Sequence, residues 1–150
     1  MKNRAPCEKI QDQYFRDKCI EIVVLATTPI PPTQLAEARN TQRRSDVAAI
    51  VNAIGQRTAD NRGTFETGCA AGVIPTASTK ISSTNGYDIA PCVTPTYLMR
   101  MPFDPSAAGA HYTSNIDYNT GYFIQKDSVT GQVSVRAPSA ELNETITVTR

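Results

Sequence analysis

Oxygen-bearing side chains alternate near the C-terminus, at Asn115, Asp117 and Asn119, shortly before Gly121. Carboxylate and amide oxygens are ligands that Ca²⁺ prefers, and this spacing supplies three of them at a period of two. An EF-hand loop, however, has its glycine directly after the third ligand and a glutamate six residues later, and neither is in place here. Asn and Asp more often form turns with their own backbone. We therefore expect Asx turns at these residues, with a calcium site as the alternative.

The four cysteines are the next residues that could do chemistry. They form no Cys-x-x-Cys pair and the chain has one histidine, so we expect no zinc site. Cys69 and Cys92 lie in a stretch rich in Ser, Thr, Gly and Pro, where a disulfide would stabilise the fold by roughly 3 kcal/mol. Such a bond predicts maturation in an oxidising compartment, at the cell surface or outside the cell. Four reduced thiols in a cytosolic protein are the alternative.

Cys7 and Cys19 are the other possible disulfide pair. In one straight helix they would be about 18 Å apart along the axis, whereas a disulfide brings two Cα atoms to roughly 5.5 Å. They pair only if that helix breaks into a hairpin, so the connectivity stays open.

Catalysis has little support in the sequence. His111 is the single histidine, and no nucleophile motif, marked carboxylate pair or Gly-rich phosphate loop accompanies it. We expect a surface or packing histidine, no enzyme and no cofactor other than the calcium considered above; a small enzyme built on His111 is the remote alternative. The net charge is +1, so we predict no binding to nucleic acid or to an anionic membrane.

The first 32 residues look unlike the rest. Residues 5–26 are predicted to form a helix, and Pro29, Pro31 and Pro32 a hinge. The basic start is not followed by an apolar segment, so no signal peptide is predicted. The longest apolar run, residues 20–30, is too short and too polar to cross a bilayer. Membrane attachment would require a segment that this sequence does not contain.

Residues 33–150 read as one α+β domain. A long helix is predicted from Thr33, its N-cap, to about Ala59. Its second half carries an apolar stripe that must pack on a core. Its first half is polar, and we interpret the cluster of Arg39, Arg43 and Arg44 there as a solvated face. The stripe consists of Val47, Ile50, Val51 and Ile54.

Residues 60–120 are predicted to be mostly loop, with a short helix after Asp88. Alternating residues then predict three antiparallel strands at 121–126, 132–136 and 143–150, the first two joined by a hairpin connection at 127–131. The stripe of the long helix is expected to cover one face of this sheet.

Two segments in this order resemble those of type IV pilins and type II secretion pseudopilins. Residues 35–47 read Leu-Ala-Glu-Ala-Arg-Asn-Thr-Gln-Arg-Arg-Ser-Asp-Val and lead into the stripe, as in the second half of a pilin helix. Residues 97–105 read Tyr-Leu-Met-Arg-Met-Pro-Phe-Asp-Pro and resemble a segment that ends in Pro-x-Asp-Pro. Tyr122 and the hairpin strands follow. The hydrophobic helix and Gly-Phe cleavage site with which such proteins begin have no counterpart in residues 1–32.

The resemblance implies a long helix with a globular α+β head, in a structural subunit of a type IV pilus-like or pseudopilus-like surface filament. Its partners would be other pilin-like subunits, and some pseudopilins hold calcium in this part of the head. The surface for assembly would lie on the first half of the helix. A soluble extracellular binding or adhesion module with a similar shape is the alternative. The expected assembly residues are Leu35, Ala38, Arg39, Gln42 and Arg43.

Overall fold

A computed structural model describes residues 11–19 and 29–150. The chain divides into two compact units, Met1–Gln34 and Leu35–Arg150. In the first unit, residues 13–19 are helical, and residues 29–31 belong to no helix or strand. The remainder of the helix predicted over residues 5–26 lies outside the described residues.

Helix α1 spans Pro32–Asp60, close to the predicted bounds. It begins at a proline, which suits a first turn because the missing N–H would have no partner there. The predicted N-cap, Thr33, lies within the helix, so that prediction was wrong. Beyond its C-terminal end, Arg62 and Gly63 adopt φ values of 57° and 95°. The Gly63 N–H donates to the Thr58 carbonyl at 2.8 Å, which satisfies one of the last carbonyls of the helix.

Five strands and one short helix follow α1. The short helix after Asp88 and the last three strands occur where the sequence predicted them, although β3 begins four residues earlier. Strands β1 and β2 fall in the stretch predicted to be mostly loop, so the sequence missed them. The elements are β1 (Thr79–Ser82), α2 (Ala90–Val93), β2 (His111–Ser114), β3 (Asp117–Lys126), β4 (Val133–Ala137) and β5 (Ile146–Thr149).

Strand β3 is the centre of an antiparallel sheet. At Phe123 it pairs with both Lys80 of β1 and Arg136 of β4, which therefore lie on opposite edges of β3. At Asn119 it pairs with both Ser82 of β1 and His111 of β2. Strands β2 and β4 thus occupy successive parts of the same edge of β3, and β5 continues the sheet beyond β4. The α+β class with a long helix and an antiparallel sheet is confirmed.

The core lies between α1 and one face of this sheet. The predicted stripe is buried, with Val47 and Ile50 fully inaccessible. The same cluster contains Tyr122 and Ile124 from β3 and Val135 from β4. The buried face of α1 also extends N-terminally beyond the stripe through three residues at the same helical spacing, of which two are polar: Ala36, Asn40 and Arg43.

A loop approaches β3 where β2 has ended and β4 has not begun. The N–H of Asp104 donates to the carbonyl of Thr120 at 2.8 Å. Gly121, with φ of 73°, leaves room for this approach: a Cβ there would lie 3.1 Å from that of Asp104 and 3.0 Å from that of Ala107. The loop that carries Asp104 is therefore held against β3 and reaches α1.

Candidate functional site

Arg43 is the centre of a buried ionic network. Its side chain is fully inaccessible. Its Nε and Nη2 donate to the two carboxylate oxygens of Asp104 at 2.8 and 3.0 Å. Nη2 also donates to the hydroxyl of Ser106 at 2.6 Å, and Nη1 donates to Asn40 Oδ1 at 2.9 Å and to Glu141 Oε2 at 2.8 Å. One guanidinium therefore joins α1 to two loops that are distant in sequence.

Asp104 is ionised in this setting although it is buried. Burial alone would raise the pKa of the Asp104 carboxyl. The guanidinium of Arg43 and the backbone N–H groups of Ser106 and Ala107, at 2.8 and 2.9 Å, donate to it and lower that pKa below its usual value. The carboxylate is thus a stable partner for Arg43 at neutral pH.

Glu141 closes the other side of the network. Arg39 donates to its two oxygens at 2.7 and 2.5 Å, and the hydrogen bonds from Arg39 and Arg43 lower the pKa of Glu141 to about 2. Asn40 donates to the Glu141 carbonyl at 2.8 Å and accepts from the Glu141 N–H at 2.9 Å. The segment that leads into β5 is therefore attached to the second and third turns of α1.

A second buried carboxylate, Asp46, lies one turn further along α1. Tyr122 donates its hydroxyl proton to Asp46 Oδ2 at 2.7 Å, and Gln42 Nε2 donates to Oδ1 at 2.7 Å. Burial is the main cause that raises the pKa of Asp46, and it likewise raises that of Tyr122. The pair fixes the helix on the middle of the sheet.

A groove of about 450 Å³ opens beside this pair. Gln42, Asp46 and Ala49 of α1 line one side, and the opposite side is mostly apolar with one cation, Arg100. A small ligand or the side chains of a partner would fit a groove of this size. The opposite side consists of Leu98, Arg100, Met101, Pro102, Phe103 and Pro105.

The hydrogen bonds of this network hold elements of the fold in position. In the described part of the chain, every buried side-chain nitrogen and oxygen has a hydrogen-bond partner. The charged groups of Arg43 and Asp104 bond each other and their neighbours rather than point into an open cavity. What the arrangement does chemically is hold a long helix against a sheet and two loops.

The residues predicted for assembly divide into two sets. Leu35, Ala38 and Gln42 are exposed, and the Leu35 side chain retains 42% of its accessible surface. Arg39 is about one-third exposed, with a side-chain value of 32%, and is already paired with Glu141. Arg43 is fully buried, so the predictions that it contributes to an assembly surface and to a solvated face were wrong. It is buried because Asp104 and Glu141 neutralise it there.

The oxygen ligands considered for calcium are bonded within the protein. Asn119 Oδ1 accepts from the Gly121 N–H at 3.0 Å, which is the expected Asx turn. Asn115 Oδ1 accepts from the Tyr112 hydroxyl at 2.9 Å. Asp117 Oδ1 lies 3.1 Å from His111 Nε2. Each side chain thus has its own partner, and calcium stays an untested alternative.

His111 is exposed, in agreement with a surface position. Its Nδ1 lies 2.8 Å from the carbonyl of Gly109, and its Nε2 faces the carboxylate of Asp117. These two acceptors, the carbonyl first, raise the pKa of the imidazole. The histidine fixes the start of β2 to the start of β3.

Cys69 and Cys92 form a disulfide, with Cα atoms 5.4 Å apart, as the sequence predicted. The bond joins the loop after α1 to α2 and indicates an oxidising environment during maturation. Cys19 is also disulfide-bonded. Cys7, which the sequence offered as one possible partner, lies outside the described residues.

The sequence did not single out Asn40, Asp104 or Glu141 as parts of one site. The sequence of α1 did contain one signal that part of its polar half is buried. The buried positions Ala36, Asn40 and Arg43 continue the phase of Val47 and Ile50, with steps of four and three residues. Polar residues in phase with an apolar stripe indicate a buried polar network, whose partners only the fold reveals.

Comparisons with family models, curated proteins and solved structures give no significant match for this chain. Among the described residues, no helix combines the length and apolar character needed to cross a membrane.

Proposed function

We propose that this protein is a non-catalytic structural subunit of a type IV pilus-like or type II secretion pseudopilus-like surface filament, exported through an oxidising compartment. Its partners are other pilin-like subunits, and its helix α1 joins a stem to a globular head. The proposal begins from the likeness of residues 35–47 and 97–105 to pilin segments.

The observation that carries the proposal is the two-sided character of α1. One face is buried in its own domain from Ala36 to Ile54. In the first turns of the helix, Leu35 and Ala38 are exposed instead. A helix that packs on neighbouring subunits would bury the Leu35 side chain, and burial of that apolar surface would favour assembly.

The network around Arg43 gives this arrangement a mechanical reason. A filament subunit transmits load between its helix and its head, so the two must not move apart. Arg43 and Asn40 bond Asp104 and Glu141, which lie in different loops of the head. These bonds lie at Asn40 and Arg43, in the turns of α1 where the stem would join the head.

Charge substitution on the exposed side of the helix tests the proposal. Leu35→Asp and Ala38→Asp should abolish or strongly reduce filaments, measured by electron microscopy and by sedimentation of sheared surface material from cells that make the protein. The domain itself should fold normally because both side chains are exposed. A thermal unfolding midpoint close to that of the original protein checks this.

Val129→Asp is the matched control. Val129 is 92% exposed in the connection between β3 and β4, so Val129→Asp makes a comparable change at an exposed apolar residue outside α1. Filaments should form normally with this variant. Normal filaments with Leu35→Asp would overturn the proposal.

A soluble extracellular binding module is the second candidate, and the groove beside Asp46 favours it. The groove has the size of a ligand site. Phe103 lines it and is 38% exposed. If the second candidate holds, Phe103→Ala should remove binding of the partner while Leu35→Asp leaves it unchanged. If instead Phe103→Ala leaves partner binding unchanged and Leu35→Asp removes filaments, the filament subunit is supported.

A further inference from the structure

Two cations flank an aromatic ring on the outer face of the sheet. Lys80, Phe123 and Arg136 are direct neighbours across β1, β3 and β4. The Nζ of Lys80 lies over the ring of Phe123, 5.9 Å from its centroid, and the Cζ of Arg136 lies over it at 5.4 Å. Both cations are therefore held in place by the same ring.

In the described part of the chain, no carboxylate forms an ion pair with Lys80 or Arg136. Arg136 has weak hydrogen bonds to the hydroxyl of Ser78, at 3.4 and 3.3 Å. Arg39 and Arg43 of α1 differ, because each bonds a carboxylate. The outer face thus has two positive charges available for an anion.

Hydroxyl and amide groups surround these charges. Thr147 of β5 continues the row beyond Arg136. The next outward row consists of Gln125, Ser134 and Thr149, and the last two bond each other at 2.8 Å. Since these side chains can donate and accept, they suit a ligand that has hydroxyl groups along its length.

We propose that the outer face of the sheet binds an extended acidic polysaccharide, with Lys80 and Arg136 contacting carboxylate or sulfate groups of the chain and the hydroxyl row contacting its sugars. The Cα atoms of the two residues are about two strand spacings apart, roughly 10 Å, so a chain that crosses the strands meets both. This binding goes beyond the filament role and does not depend on assembly.

A single-stranded nucleic acid is the competing polyanion, and the face suits it less well. Such ligands stack their bases on open aromatic rings along a groove of strong positive charge. Here the ring of Phe123 is covered by two cations, and the whole chain has a net charge of +1.

Binding of heparin to the dispersed protein, measured by titration calorimetry at low and at raised salt, tests the inference. The double variant Lys80→Gln/Arg136→Gln should weaken binding by about tenfold or more, because two charge contacts are lost. The charge-keeping variant Lys80→Arg/Arg136→Lys should retain most of the affinity. Neutral dextran should not bind, and raised salt should weaken heparin binding.

Arg62→Gln/Arg150→Gln is the control, because it removes the same charge from exposed residues elsewhere; Arg150 bonds Asn52 of α1. It should leave heparin affinity nearly unchanged. Equal losses in the two double variants, or no heparin binding, would overturn the inference. So would an oligothymidylate that binds as tightly as heparin and depends on the same residues.

Discussion

The guanidinium of Arg43 and the carboxylate of Asp104 form two parallel hydrogen bonds, of 2.8 and 3.0 Å, with both side chains fully inaccessible to solvent. The pair joins α1 to the loop that lies against Gly121 of β3. Bidentate pairs of this kind fix orientation as well as distance. The direction of α1 relative to the sheet is set here.

Removing Asp104 should therefore be costly. Asp104→Ala leaves a buried guanidinium with one carboxylate fewer, and we expect it to lower the free energy of unfolding by about 3–5 kcal/mol. Urea unfolding followed by circular dichroism measures this. Arg44→Ala, which removes an exposed ion pair to Glu144, is the control and should cost less than about 1 kcal/mol. Equal losses would show that the buried pair does not anchor the helix.

Acid should weaken the same network. The folded-state pKa of Glu141 is about 2, below its ordinary value of 4.5, and the pKa of Asp104 is also lowered. A carboxyl with a depressed folded pKa contributes stability above its unfolded pKa and loses it as pH falls through the folded value. The urea midpoint should thus fall between about pH 5 and about pH 2.

The raised pKa of Asp46 acts with the opposite sign, since its contribution is lost as pH rises through its folded value. It therefore cannot produce the acid loss. The fall should be smaller in Glu141→Gln than in the original protein. Identical pH profiles for the two would contradict the assignment of acid sensitivity to Glu141.

Gly121 and Gly131 offer a matched pair. Both have positive φ, 73° and 75°, but only at Gly121 would a Cβ meet neighbouring atoms within 4 Å. Gly131→Ala should cost about 1–2 kcal/mol from backbone strain alone. Gly121→Ala adds the clash with the Asp104 loop and should cost about 1–3 kcal/mol more. Equal unfolding free energies for the two variants would show that the loop does not need this close approach.

The elements that the sequence predicted well are those with a long local signal. Helix α1 has 29 residues and a clear stripe, and β3 to β5 alternate around inward residues such as Ile124. Strands β1 and β2 have four residues each and are rich in Ser and Thr. Their structure is therefore decided by pairing with β3 and not by a local sequence pattern. Such short strands depend on partners distant in sequence.

The buried network was missed for a related reason. Arg43 looks like a solvated cation in its own segment, between Gln42 and Arg44. Its partners are 61 and 98 residues away, and only the folded chain brings them together. The Cys69–Cys92 disulfide, by contrast, followed from two cysteines in one poorly packed stretch, and it was predicted correctly.

The central claim, that the exposed side of α1 packs on neighbouring subunits, is tested most directly by cross-linking in assembled material. Ala38→Cys places an added thiol on that side, and Val129→Cys places one on the exposed connection between β3 and β4. With a short bifunctional maleimide, we expect covalent dimers from sheared filaments of Ala38→Cys, since each subunit then has one added free thiol, and few dimers from Val129→Cys. Filaments of Ala38→Cys that yield only monomers would contradict the account.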